Sequence, residues 1–258
     1  MKAIEKELQK IEKSEERMRR HAEKKAEVLW KAKLEEKIPN KIMAGLQGAF
    51  SKAFYLIFEK GNVIIEKTYD RYTIEKDFQI RDFAIDLKGG KKEIKKLKKD
   101  VKASLAINTL ITTAEGIGLG ALGIGLPDIV IWIGFLLRGV YETALKYGFD
   151  YKTPEEKVFI LEMLEAALFT GEEWNTANES VDYYIERNTH VVPADDGVKR
   201  QIEKTANTFA TNMLIAKFIQ GLPVFGIVGG VANPMYYHRV MRYVQLKYQK
   251  RYLLGKQF

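Results

Sequence analysis

Apolar residues recur along this chain at intervals of three and four, the spacing of one helix face, and almost nowhere alternate as in a half-buried strand. In residues 2–36, Ile4, Leu8, Ile11, Met18, Ala22 and Leu29 draw a narrow apolar stripe through dense charge. The stripe is interrupted at Glu15 and thins at Ala22, so it predicts a helix draped on a larger body rather than a long coiled coil. Pro39 ends it, because the residue before a proline avoids helical dihedrals. A second helix is predicted to Lys60, with Ile42, Leu46, Phe50, Phe54, Ile57 and Phe58 on one face; Gly61 reads as its C-cap and Asn62 as the next N-cap. A third follows to about Leu87, through Ile65, Tyr69, Tyr72, Phe78 and Phe83, with a short strand at Val63–Ile65 as the alternative. Residues 88–91, Lys-Gly-Gly-Lys, break the pattern.

From residue 91 the apolar line is Ile94, Leu97, Val101 and Leu105, ringed by Lys91, Lys92, Lys95, Lys96, Lys98, Lys99 and Lys102. Basic residues around an apolar stripe are the pattern of a helix lying on an anionic membrane surface, and equally of a solvated surface helix. This helix runs into Gly116–Leu137, the longest apolar run of the chain. Twelve Ile, Leu, Val and Phe residues there favour insertion by roughly 6 kcal/mol, and the central Asp128 returns about 3. Glycines and Pro127 erode the remainder. A buried hairpin, a segment that dips into a bilayer and one that does either are all compatible with that balance. We expect no true transmembrane span.

Beyond Pro127 a helix is predicted through Ile129, Ile133, Leu136, Leu137, Val140 and Leu145, with Arg138 and Glu142 spaced to pair. Residues 147–150 end it. Thr153, Pro154 and Glu156 then spell a capping box, opening a helix that Gly171 stops. Residues 172–200, polar and acidic around Trp174, Tyr183 and Tyr184, read as a surface insertion. A helix near 198–220 carries Ile202, Phe209, Leu214 and Phe218, and a last one, Tyr236–Leu254, interleaves tyrosines with Arg239, Arg242, Lys247, Lys250 and Arg251. Between these two lies a second Gly-rich apolar stretch, 221–234. Asn108–Ile111 followed by Gly125-Leu126-Pro127 echoes Asn212–Ile215 followed by Gly221-Leu222-Pro223, a faint internal repeat. The expectation is an all-α, single-domain helical bundle around two Gly-rich apolar helical hairpins. Residues 1–38 form its charged N-terminal helix and 39–258 the domain.

Composition adds two constraints. There is no cysteine, so disulfides, thiolate zinc sites and a cysteine nucleophile are excluded. The N-terminus lacks the apolar core of a signal peptide, so a cytoplasmic location is expected. Charge adds a third. The net +8 is segregated: residues 1–100 hold 26 Lys and Arg against 18 Asp and Glu, residues 142–203 are strongly acidic, and residues 204–258 carry no acidic side chain at all. Basic surfaces attract phosphates of nucleic acid or of anionic lipid. The candidate phosphate-facing residues are Lys95, Lys96, Lys98, Lys99, Arg239, Arg242, Lys247, Lys250 and Arg251.

Little in the chain reads as catalytic. Gly118–Gly123 fits the glycine spacing of a dinucleotide loop, with Glu142 near the ribose-acid position, but a helix precedes it where a strand is required. Gly116 and Gly120, like Gly226 and Gly230, are four apart, which suits close helix packing instead. His21, His190 and His238 are not at metal-ligand spacing, so no metal and no cofactor are expected. Glu115 and Asp128 flank the Gly-rich run and are the weak candidates for acid–base work, with helix capping the simpler role for Asp128. Tyrosines among basic residues at 236–252 also suit nucleic acid, yet no nucleic-acid motif is present and that partner is not expected.

Two stretches carry a resemblance. GLPDIVIWIGFLLRGVYETALKYGFDYKTPEEKVFILEMLEAAL, residues 125–168, and GLPVFGIVGGVANPMYYHRVMRYVQLKYQKRYLL, residues 221–254, resemble the EcsC family. Gly125 and Pro127, the Leu137-Arg138 pair, residues 147–150 with Pro154-Glu155-Glu156, and Pro223 and Asn233 fall in family order; the likeness covers about residues 40–254. The family is named after a bacterial operon that also encodes an ABC exporter. The resemblance implies a bacterial, cytoplasmic, peripherally membrane-associated accessory protein near transporter subunits. The family has no established reaction, so no catalytic residue is carried over. The expectation is thus an accessory protein on the anionic inner membrane face, with a lipid-handling hydrolase using Glu115 or Asp128 as the alternative.

Overall fold

A computed structural model describes residues 2–24, 39–88, 91–111, 127–187, 196–219 and 234–257. Ten α-helices occur among them: α1 (Lys2–Lys24), α2 (Asn40–Leu56), α3 (Asn62–Glu66), α4 (Arg71–Lys88), α5 (Lys91–Ile111), α6 (Pro127–Lys146), α7 (Pro154–Leu168), α8 (Gly171–Arg187), α9 (Gly197–Ile219) and α10 (Pro234–Gly255). The fold is all-α and no described residue is in a strand. The two Gly-rich stretches expected at its centre, with Gly125, Pro223 and Asn233, lie outside the described residues. So does Glu115.

Among the described residues the centre is α6, α7 and α10. α6 is buried almost all round, from Ile129 to Leu145, as expected of a helix that is apolar on every side. α7 packs on α8, α9 and α10, and α9 packs also on α2. Where α2, α6 and α9 meet, Phe50, Phe54, Trp132 and Phe209 form an aromatic cluster with centroids 5.5–6.3 Å apart. A second aromatic contact stacks Tyr141 of α6 on Tyr151 at 4.0 Å. α1 lies across α8 and α10 with Ile11 buried in the same core, so it is draped as expected.

The helix ends follow local chemistry in part. α6 stops where the sequence predicts: Gly148 is left-handed (φ 82°), and Gly148 N–H and Phe149 N–H bond back to Leu145 and Ala144 carbonyls, a Schellman motif. Thr153 caps α7, accepting the Glu156 N–H at 3.2 Å. The capping box is only half made, because the Glu156 carboxylate turns instead to Tyr248 and Arg251. Gly61 is not a C-cap. The chain continues from α2 through one turn of π-helix, Ile57–Gly61, directly into α3, so there is no break at Gly61-Asn62 and Val63–Ile65 is helix, not strand. The break comes after Glu66. There Asp70 caps α4, accepting Thr73 N–H at 3.1 Å and Thr73 Oγ1 at 2.6 Å.

The acidic stretch read as a surface insertion is corrected most. Over residues 171–187 it is α8, with Trp174, Val181 and Ile185 buried against the bundle.

Candidate functional site

The basic residues named from the sequence divide into three environments. On α5, Ile94, Leu97 and Val101 are buried and hold the helix on the bundle, while Lys91, Lys92, Lys95, Lys99 and Lys102 are exposed with no ion-pair partner among the described residues. Lys96 is also exposed, 3.4 Å from Glu93. Lys98 instead turns in to Glu7 at 2.7 Å. Burial pushes the Glu7 carboxyl up, but hydrogen bonds and charge from Lys10 and Lys98 outweigh it and hold it below its ordinary range.

On α10 most of the expected outward charge is internal. Lys247 has a fully buried side chain, its Nζ 2.5 Å from Glu15 of α1 and 2.6 Å from Asp182 of α8. Lys250 meets the same two carboxylates at 3.2 and 2.9 Å. Arg251 is buried at 2.7 Å from Glu156, its guanidinium over the rings of Phe149 and Phe159. These three residues tie helices together and present no charge to a flat surface. Arg239 donates to the carbonyls of Leu168 and Phe169, closing the end of α7. Of the five, only Arg242 is exposed.

The third environment is a cavity of about 470 Å³ among α1, the end of α7, the start of α8 and α10. Arg17, His21, His238, Arg239 and Arg242 line it, and among the described residues no acidic one does. Its floor includes the buried rings of Trp174 and Tyr243, in edge-to-face contact at 6.4 Å. A smaller cavity of about 210 Å³ shares Met18 and Arg242 with it and reaches Lys98 and Lys102 of α5.

Of the remaining sequence candidates, Arg138 and Glu142 are structural. Arg138 and Glu142 pair at 3.2 Å, both buried, and Arg138 also donates to the Thr68 carbonyl at 2.9 Å. That pairing is the one the spacing predicts, and it accounts for Glu142 without a nucleotide. Pro127 and Asp128 open α6, their side chains lying outside the described residues. No cluster of three His, Asp or Glu that could hold a metal ion occurs among the described residues.

The profile of the EcsC protein family matches residues 2–253. The chain belongs to the EcsC protein family. The match takes in α1, which the sequence resemblance left aside. The chain is also 26% identical over 161 residues to Protein EcsC of Bacillus subtilis (strain 168), an alignment covering 55% of this chain and 60% of that protein. The chain therefore matches less than two thirds of that relative's length. No solved structure matches. Among the described residues of this EcsC-family chain, no helix is long and apolar enough to cross a membrane.

Sequence reasoning missed Arg17, His21, Trp174 and His238. Arg17 and His21 are four apart on α1, and His238 and Arg242 four apart on α10, so each Arg–His pair was legible as one helix face. That the two faces look into one cavity was not legible, because more than two hundred residues separate them.

Proposed function

We propose that this EcsC-family protein is an accessory protein that docks on the anionic inner face of the membrane through α5. The observation that carries the reading is the exposed lysine face of α5, where Lys91, Lys92, Lys95, Lys99 and Lys102 have no carboxylate partner among the described residues while Lys247 and Lys250 of α10 are neutralised inside the bundle. In sequence the same helix leads into the most apolar residues of the chain. Cations near an anionic bilayer contribute about 1 kcal/mol each, an attraction that salt screens. An apolar segment beside them adds reach into the headgroup region. A place beside transporter subunits is what the family resemblance implies, and it belongs to the same proposal.

Vesicle flotation tests it. The protein should float with phosphatidylcholine vesicles containing phosphatidylglycerol and not with phosphatidylcholine alone. Replacing Lys95, Lys96 and Lys99 together by Gln removes about 3 kcal/mol and should weaken binding about a hundredfold while flattening its salt dependence. Equal binding to neutral vesicles, or an unaltered salt response in the variant, would overturn it.

A further inference from the structure

The cavity among α1, α7, α8 and α10 has a composition that packing alone does not explain. Several neighbouring charges on these helices are paired within the bundle. Arg19 and Arg20, next to the cavity on α1, are both tied to Glu16, and Lys247 and Lys250, one to two turns further along α10, to Glu15 and Asp182. Among the described residues Arg17 bonds within its own helix, to the Lys13 carbonyl at 3.1 Å and Ser14 Oγ at 3.3 Å, and neither it nor Arg242 has a carboxylate partner there. The guanidinium groups of Arg17 and Arg242 therefore line one recess, together with Arg239 and the imidazoles of His21 and His238, and among the described residues no acidic side chain lines it. Like charges gathered in a recess repel, and the arrangement is favourable once an anion enters.

The shape narrows the anion. Planar guanidinium groups match the paired oxygens of phosphate or carboxylate, and several around one recess suit a group with more than one negative charge. At about 470 Å³ the cavity is of small-molecule size and larger than a bare phosphate needs. Its far wall is apolar: Ala22, Ala167, Trp174 and Tyr243 are each more than nine-tenths buried. We propose that this cavity binds an organic phosphomonoester, the phosphate held between Arg17 of α1 and Arg242 of α10 and the organic part lying on Trp174. The adjoining smaller cavity, shared through Met18 and Arg242, opens the site toward Lys98 and Lys102 of α5. The phosphomonoester is therefore either a lipid headgroup or a soluble metabolite, one chemistry from two sources. The assignment stands independently of membrane docking through α5.

The test uses the full chain and two variants, Arg17→Gln/Arg242→Gln and Lys95→Gln/Lys96→Gln/Lys99→Gln. All five residues are exposed, so both variants are expected to keep the parent melting temperature. Titration calorimetry with glycerol 3-phosphate and with inorganic phosphate reads the soluble arm. Flotation on phosphatidylcholine vesicles carrying phosphatidic acid, a monoester, or phosphatidylglycerol, a diester, reads the lipid arm. Saturable binding of glycerol 3-phosphate, lowered at least about tenfold in the arginine variant and unchanged in the lysine variant, supports a soluble ligand. A preference for phosphatidic acid over phosphatidylglycerol that the arginine variant alone loses supports the headgroup. The proposal is overturned if the arginine variant matches the parent in both arms, or if inorganic phosphate binds as well as every organic phosphate. Loss of all vesicle binding in the lysine variant, with arginine-dependent glycerol 3-phosphate binding intact, separates this site from the α5 surface.

Discussion

Gly148 shows how much one position can carry. Its left-handed backbone allows the turn after α6, and the Phe78 ring approaches so closely that an added Cβ would lie 2.3 Å from it. Gly148→Ala therefore meets two costs: about 1–2 kcal/mol for a left-handed non-glycine residue, and displacement of a ring packed edge-on to Tyr252 at 6.0 Å. We expect a loss of at least about 2 kcal/mol in urea unfolding. Gly45, inside α2 with open space around its Cα, should respond in the opposite sense, with Gly45→Ala gaining about 0.5–1 kcal/mol. A loss below about 0.5 kcal/mol at Gly148 would show that Phe78 moves aside freely. The turn itself was legible, since residues 147–150 read as a helix end and the structure ends α6 there. Glu156 was legible only by half. The local pattern named it for a cap, and nothing within a turn or two betrays Arg251, 95 residues away, which takes its carboxylate.

The tie at Lys247 belongs to the scale of elements. One fully buried ammonium joins α10 to α1 through Glu15 and to α8 through Asp182. Removing one carboxylate leaves a positive charge without full compensation in a dry place, which costs on the order of 3 kcal/mol. Asp182→Ala should lower stability by about that much in the parent and by far less in a Lys247→Met background. Additive losses in that double-mutant cycle would show that the ion pair does not couple the helices. The sequence hid this tie at both ends. Glu15 looked like a fault in an apolar stripe, and it is the residue that α1 turns inward. Asp182 sat in a stretch so polar that the helical spacing of Trp174, Val181 and Ile185 passed for a surface insertion. Buried apolar residues announce themselves by period; a buried charge announces nothing until its partner is known.

For the whole molecule, the segregated charge of the sequence is largely folded against itself. The acidic middle supplies Glu156 and Asp182 to the basic last helix, while α5 keeps an exposed lysine face and Arg242 stays exposed beside the cavity. Helix type and apolar faces were therefore readable from spacing, whereas exposure of charge was not. The same pairing sets the response to acid. Glu7 and Glu66 are pushed up by burial but held lower overall by their lysine and hydrogen-bond partners, and Asp70 is lowered by the Thr73 hydroxyl and N–H. A carboxyl depressed in the folded state adds stability that is present above its unfolded value and lost as pH falls through the folded one. Glu162, raised by burial, runs the other way and gains on protonation. Glu16 is lowered as well, by its hydrogen bonds to Arg19 and Arg20, and four lowered groups against one raised predict a melting temperature that falls as pH drops below about 4.5. A melting temperature that holds or rises from pH 5 to 3 would show that the burial cost at Glu162 dominates.

The contact between Glu15 and Lys247 spans 232 residues, and a ribosome delivers those residues in order. At roughly 5–20 residues per second, α1 waits about 10–50 s before the helix that receives it exists. During that interval its apolar stripe faces water or whatever the cell offers. The charges that crowd the stripe, several of them paired within α1 itself, hydrate the nascent helix until its own chain is complete.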